Sequence, residues 1–172
     1  LWPAPSNPKR ISLDANGGLR ATADELFGFS NDTLITGWIE VKSSLGFLSA
    51  YIGYGNTSTP SFALVSAIET LAASRFAVFS QVAEGVGYFT GLTVVNPGKV
   101  AAEVEFYTMR PDGTTVGKAT FTVGPNQRIG RLFRELLPAS LDQVGGWGFL
   151  RSSQPVIAAA LFGSTNGFAL AS

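Results

Sequence analysis

The stretch TGWIEVKSS, Thr36 to Ser44, returns in altered form as GGWGFLRSS, Gly145 to Ser153. Trp38 answers to Trp147, Lys42 to Arg151, and Ser43-Ser44 to Ser152-Ser153, at a spacing of 109 residues. Within the first copy Trp38, Glu40 and Lys42 alternate with Ile39 and Val41. A period of two places successive side chains on opposite faces, which is the pattern of a strand. The duplicated strand is the frame on which the rest of the chain is placed.

The duplication extends both ways. Ile11 and Leu13 align with Phe121 and Val123, Asn16 with Asn126, Leu19 with Ile129, and Glu25-Leu26 with Glu135-Leu136. Phe47-Leu48 align with Val156-Ile157, Ile52 with Leu161, and the FALVS beginning at Phe62 with the FALAS beginning at Phe168. Residues 9–67 thus repeat as 119–172, whereas residues 75–117 occur once. In order, the chain reads half B, half A, half B. The expected organisation is an extended arm over 1–8, a partial second-half repeat over 9–74, and a complete β-sandwich repeat over 75–172.

Between these anchors the chain reads as short alternating runs bounded by turn residues. Val100 to Arg110 and Thr114 to Val123 form the clearest hairpin, joined by Pro111-Asp112-Gly113. Asn16-Gly17-Gly18, Asn96-Pro97-Gly98 and Gly124-Pro125-Asn126 are turns, because Asn and Gly tolerate positive φ. Lys9 to Asp14, Leu19 to Thr22, Phe47 to Gly53, Ser61 to Ala67, Arg75 to Val82, Tyr88 to Val95, Trp147 to Arg151 and Pro155 to Phe162 are expected strands. Asp24 to Phe27, closed by Gly28, reads as one helical turn. Turn signals every 8–12 residues without a long 3.6-period stretch indicate an all-β, antiparallel β-sandwich, Ig-like or jelly-roll-like, in one and a half copies.

Composition narrows the function classes. Charged residues are 14% of the 172, hydrophobic residues 45%, and twelve acids balance twelve bases. So weak a net field argues against nucleic acid as a partner, which demands a basic surface. No apolar run reaches the length of a membrane-spanning helix. Cysteine and histidine are both absent. That removes disulfides, thiolate nucleophiles, the Ser-His-Asp triad and nearly all zinc chemistry. Low charge, 20 Gly and 13 Phe fit an extracellular or cell-surface β protein. An opening Leu1 followed by WPAPSNP is what signal removal leaves, and equally what trimming leaves. No cofactor is expected, and no catalytic or metal residue is assigned.

One run resembles a known module. TGLTVVNPGKVAAEVEFYTMRPDGTTVGKATFTVGPNQRIGRLFRELLP, with GWGFLRSSQPVIAAALFG beyond it, resembles an uncharacterised β-sandwich repeat of long, secreted, repetitive proteins of environmental bacteria. Its marks are the T-G-L-x-x-x-N-P strand end at Thr90 to Pro97, the D-G hairpin at Asp112-Gly113, the E-L-(F/L)-P turn at Glu135 to Pro138, and the R-x-S-x-Q-P-V-x-A strand at Arg151 to Ala158. The match covers about residues 76–172, preceded by the second half of another copy. The resemblance implies a β-sandwich and an extracellular location, and it brings no catalytic residues. The first copy departs from it at Gly46, in place of Gln-Pro, and at Gly28, in place of the Pro.

Candidate sites follow from side chains the frame leaves over. One half A must serve two half Bs, so one half B is short of strands, and an exposed strand edge invites addition from a neighbour. Trp2, Pro3, Pro5 and Pro8 on the arm, with Ile11 and Leu13, are therefore the assembly candidates. The partner expected is an identical subunit, in an oligomer or, for head-to-tail contacts, a filament. Arg128, Arg131 and Arg134, three residues apart, are a candidate anion clamp; solvated charge beside Glu135 and Asp142 is the plainer reading. Trp38 and Trp147, with Trp2, Tyr51, Tyr54 and Tyr88, could form a glycan-stacking platform, although duplication at one frame position favours packing. Glu103 and Glu105 are a carboxylate pair on one strand face, where a solvated face explains them as well. Asp14-Ala15-Asn16 and Asn31-Asp32 are weak candidates for a calcium site, which turn chemistry explains as well. The leading expectation is a secreted, non-catalytic structural subunit; the alternative is a carbohydrate-binding or adhesion module.

Overall fold

The computed structural model describes residues 7–29, 36–44, 46, 48–56, 61–137, 143–165 and 170–171. The chain divides into two compact units, Leu1–Gly37 and Trp38–Ser172. It is all-β and antiparallel, as its turn spacing predicts.

Among the described residues of the first unit the regular element is α1 (Ala23–Phe27). Thr22 caps it: its Oγ1 accepts from the Glu25 N–H, and Glu25 reaches back to accept from the Thr22 N–H at 2.7 Å. This reciprocal box satisfies two otherwise orphaned donors. Gly28 closes the helix in the left-handed region, as expected. The strands expected over Lys9 to Asp14 and Leu19 to Thr22 do not form, nor does the one expected over Thr36 to Ser44. These segments carry no helix or strand and enter no ladder among the described residues. Alternation decides which face a strand would bury and supplies no neighbour to bury it against.

In the second unit β1 (Tyr51–Asn56) and β2 (Ser61–Ser66) make a separate hairpin. A 3-10 turn occupies Thr70–Ala72. The sandwich itself is built from β3 (Ser74–Phe79), β5 (Tyr88–Val95), β6 (Ala102–Met109), β7 (Thr115–Val123), β8 (Arg128–Leu132) and β10 (Trp147–Ser164). Short β4 (Ala83–Glu84) and β9 (Gln143–Val144) pair at one end, α2 (Phe133–Leu136) follows β8, and β11 (Leu170–Ala171) adds to β10.

One strand organises this unit. β10 runs unbroken for 18 residues, where the sequence suggested two strands separated at Gln154-Pro155. Its first part, Trp147 to Ser152, lies between β3 and β6, giving the layer β3-β10-β6-β7. Its second part, Ile157 to Ser164, pairs with β5, giving a layer continued by β8. The register shifts between Arg151 and Val156, and the Ser153 hydroxyl there accepts the Glu103 N–H at 2.9 Å. Proline lacks a ladder donor, so Pro155 is tolerated where the strand changes neighbours.

The core lies between the two layers. Ala102, Val104 and Phe106 of β6 face Val123, Phe121 and Ala119 of β7 in register, and Leu150 of β10 lies beside Phe106. Leu92 and Val94 of β5 close it from the other layer. Phe133 of α2 plugs it, edge-on to Phe106 at 4.8 Å between centroids. Gly148 is required here, because a Cβ would lie 2.9 Å from the Phe106 ring.

The sequence motifs resolve into hydrogen-bonded staples, buried at Thr90 and Asn96 and exposed at Asp112 and Glu135. Thr90 Oγ1 accepts from the Ala83 N–H and donates to the Ala83 carbonyl. Asn96, fully buried, donates from Nδ2 to the Val100 and Val123 carbonyls and accepts the Gly98 N–H on Oδ1. Asp112 accepts the Thr114 N–H at the hairpin tip, and Glu135 accepts the Leu132 N–H at the start of α2. Each satisfies backbone groups that burial or a chain turn would otherwise orphan.

Candidate functional site

The outer face of the layer β3-β10-β6-β7 carries the most organised group of exposed side chains. The pairing registers set it out in rows. Lys118, Tyr107, Phe149 and Val78 stand side by side across the four strands; Thr120, Glu105, Arg151 and Phe76 form the next row; Met109 and Trp147 begin a third. Tyr107 and Phe149 stack face to face, 4.5 Å between centroids and 4° between planes. Trp147 leans against Phe149 at 6.1 Å. Lys118 lies over the Tyr107 ring at 5.1 Å and Arg151 over Phe76 at 5.9 Å, both within cation–π range.

Polar contacts tie the rows together. The Lys118 ammonium and the Tyr107 hydroxyl both donate to Glu105. Hydrogen bonding from Lys118, assisted by Tyr107, holds the Glu105 carboxyl below its ordinary value. The same contact with Glu105 holds Lys118 above its own. Toward the β3 edge the face becomes apolar: Phe76 is 63% and Val78 71% exposed. Beyond β3 no further strand pairs among the described residues.

The sequence-predicted residues fall in several places. Trp147 belongs to this aromatic face and is half-buried in it. Trp38 lies outside any helix or strand and is exposed. Trp2, Pro3 and Pro5 lie outside the described residues, as do Asn31 and Asp32; Pro8, Ile11 and Leu13 are exposed. The three arginines do not converge. Arg128 and Arg131 point to opposite faces of β8, since a spacing of three in a strand reverses the side chain. Arg128 Nε donates to Thr93, Arg131 to the Gly130 carbonyl, and Arg134 pairs at 3.6 Å with the buried Glu84. Glu84 also accepts the Thr90 N–H, so this pair is part of the structural staple. Glu103 accepts from the Thr122 hydroxyl and Glu105 from Lys118, which leaves them as two separately engaged carboxylates. Among the described residues no group of three Asp or Glu stands close enough to hold a metal ion.

Tyr107, Phe149 and Phe76 were not singled out by sequence reasoning. The signal available was the pair Trp147 and Phe149, two residues apart and followed by Arg151, all on one face. Their cross-strand partners emerge only with the register.

No protein-family model matches the chain, and no curated protein does. Among solved structures it is similar to the Anabaena sensory rhodopsin transducer, with 18% identity and a TM-score of 0.46 over 51% of this chain and 82% of that one. It is also similar to the Thermotoga maritima 1070 protein, with 15% identity and a TM-score of 0.49 over 58% of this chain and 90% of that one. No helix among the described residues is long and apolar enough to cross a membrane.

Proposed function

We propose that this chain is a non-catalytic structural module of the extracellular space that assembles with identical copies through the β3 edge. The carrying observation is the pairing of an open strand edge with exposed apolar side chains on it, Phe76 and Val78. Open edges offer unpaired backbone groups, and natural sheets ordinarily protect them with charge or a covering element. Here the strand reads SRFAVF, with charge only at Arg75. Two β3 edges meeting antiparallel about a two-fold axis would join two four-stranded layers into one and continue the aromatic rows from one copy to the next. A filament or surface layer then needs a second contact elsewhere on each copy.

Sedimentation over rising protein concentration tests this. The native chain is expected to associate, and Val78→Lys, which places a charge at the joint, to remain monomeric with an unchanged circular dichroism spectrum. A native chain that stays monomeric at the highest concentration overturns the reading.

A second reading, a glycan-binding surface, is favoured by one observation. The stacked Tyr107 and Phe149 rings, with Trp147 beside them and Glu105, Lys118 and Arg151 at their margin, combine a flat apolar surface with hydrogen-bonding groups. That is the pairing a sugar ring's apolar face and hydroxyls call for. Failure of a broad glycan panel to shift Trp147 fluorescence removes it.

A further inference from the structure

Alternation along β3 limits how two of its edges can meet. Residues directly opposite in an antiparallel pair point to the same face of the sheet. Val78 stands beside Phe149 and Phe76 beside Arg151, so both lie on the outer face. Ala77 stands beside Leu150 and faces the core. When two β3 edges meet about a two-fold axis, outer residues therefore face outer residues. The axis then passes through one residue of the strand, which faces its own counterpart in the partner.

Arg75, Phe76, Ala77 and Val78 are the candidate centres. Centring on Arg75 sets two guanidinium groups directly opposite each other, which like charge opposes. Centring on Phe76 pairs the two rings but sets Val78 against the partner's Ser74. Centring on Val78 sets Phe76 against the partner's Ser80, past the end of the strand. Centring on Ala77 sets Phe76 against the partner's Val78 and Val78 against the partner's Phe76. It also places Arg75 beside the partner's Phe79 and keeps the two Arg75 side chains apart.

We infer that the partner at β3 is a second copy in the register that sets Ala77 opposite Ala77. This rests on the association proposed above and adds its geometry. Phe76 and Val78 are mostly exposed in the single copy, and this register covers each with the other. A large side chain facing a small one fills the joint without overlap. The outer row Tyr107, Phe149, Val78 then runs on into the partner's Phe76 and the partner's Arg151. Arg151 lies over the Phe76 ring at 5.9 Å, so one guanidinium from each copy flanks the apolar joint.

The register has a signature in side-chain exchange. Phe76→Val combined with Val78→Phe leaves a large residue facing a small one when Ala77 is the centre. With Phe76 as the centre, the same exchange removes the ring pair and sets a phenylalanine against the partner's Ser74. With Val78 as the centre, it sets two rings opposite each other and a valine against the partner's Ser80.

The chain has no cysteine, so single cysteines report the register directly. Under mild oxidation Ala77→Cys is expected to form a disulfide between copies, because opposite Cα atoms stand about 4.5–5.5 Å apart, within disulfide reach. Phe76→Cys and Val78→Cys are expected to form none, because each then meets its counterpart on the diagonal, about 7–8 Å away. In sedimentation the exchanged double variant is expected to associate within about threefold of the native chain, since it conserves volume. Phe76→Val alone is expected to weaken association by at least about tenfold, through the apolar area it removes. A bridge at Phe76→Cys or Val78→Cys without one at Ala77→Cys overturns the register and leaves association at β3 standing. So does an exchanged variant that stays monomeric with an unchanged circular dichroism spectrum. Association with no bridge in any of the three cysteine variants also overturns the register, and a native chain that stays monomeric overturns both readings.

Discussion

The two half-B copies differ less in their own residues than in what surrounds them. Around Asn16 and α1 the first copy closes the same turn and the same Glu-to-backbone cap that the second closes around Asn126 and α2. Yet Ile11, Leu13 and Val41 are exposed and outside any ladder among the described residues, while Val123 and Leu150 are buried. Local chemistry forms turns and caps from a few neighbouring residues. Strands form only when another strand stands beside them, because their backbone hydrogen bonds run to a different segment of the chain. One half of the repeat thus carries its own instructions for turns, and the other half carries the condition for sheet.

Substitutions at matched positions give the widest contrast. Leu150→Ala is expected to destabilise the sandwich by about 3 kcal/mol in urea unfolding, the range for truncating a buried leucine, whereas Val41→Ala, being exposed, changes stability by less than about 0.5 kcal/mol. Equal effects at the two sites would mean that the first copy is buried in solution as the second is.

Asn96 offers a somewhat smaller effect with a different origin. Asn96→Ala removes three hydrogen bonds at a fully buried position and leaves two carbonyls and an N–H unmatched. The expected loss is about 2–3 kcal/mol, read by thermal unfolding, because orphaned buried groups cost more than the bonds themselves contribute. A loss below about 0.5 kcal/mol would show that the turn after β5 is held by other means, since surface changes fall in that band.

The smallest expected effect lies on the outer face. Glu105 is held below its ordinary value of 4.5, so its contribution is present above that pH and lost as pH falls through the lowered value. Lys118 is held above its ordinary 10.5, so its contribution is present below that pH and lost as pH rises through the raised value. The stability difference between the native chain and Glu105→Gln is therefore expected to be small and flat between these limits, and to shrink outside them. Both side chains are exposed, and solvent screening keeps the pair weak. A difference that grows toward acid would reverse the assignment of partners.

Much of this architecture was legible in the sequence. The PDG hairpin, the NPG and GPN turns, the helical turn before Gly28 and the all-β class all follow from residues whose conformational preferences are local. The continuity of β10 was not legible, because Gln154-Pro155 reads as a break until both sets of neighbours are known. The expected strand over Lys9 to Asp14 had the right pattern and lacked a partner. For the arginines, their spacing was visible in the sequence, but the strand beneath Arg128 and Arg131 turns that spacing into opposite directions. The aromatic rows arise from four separate strands, and only the register sets Tyr107 on Phe149 and Phe149 beside Val78.

The length of β10 bears on how the chain reaches this state. Roughly 60 Å of extended backbone, at about 3.3 Å per residue, is shared by both layers. β3, β5 and β6 are all synthesised earlier, and all take β10 as a neighbour. Until residues 148–156 have been made, β3 has no strand beside it, and until Ile157 to Ser164 follow, the two layers share no strand. Folding that waits on such distant pairing is slow, and the waiting species exposes Phe106 and Leu92 from the future core. A single late strand therefore acts as the closing step of the whole sandwich, and a chain cut between Ser152 and Ile157 leaves the two layers without a shared strand.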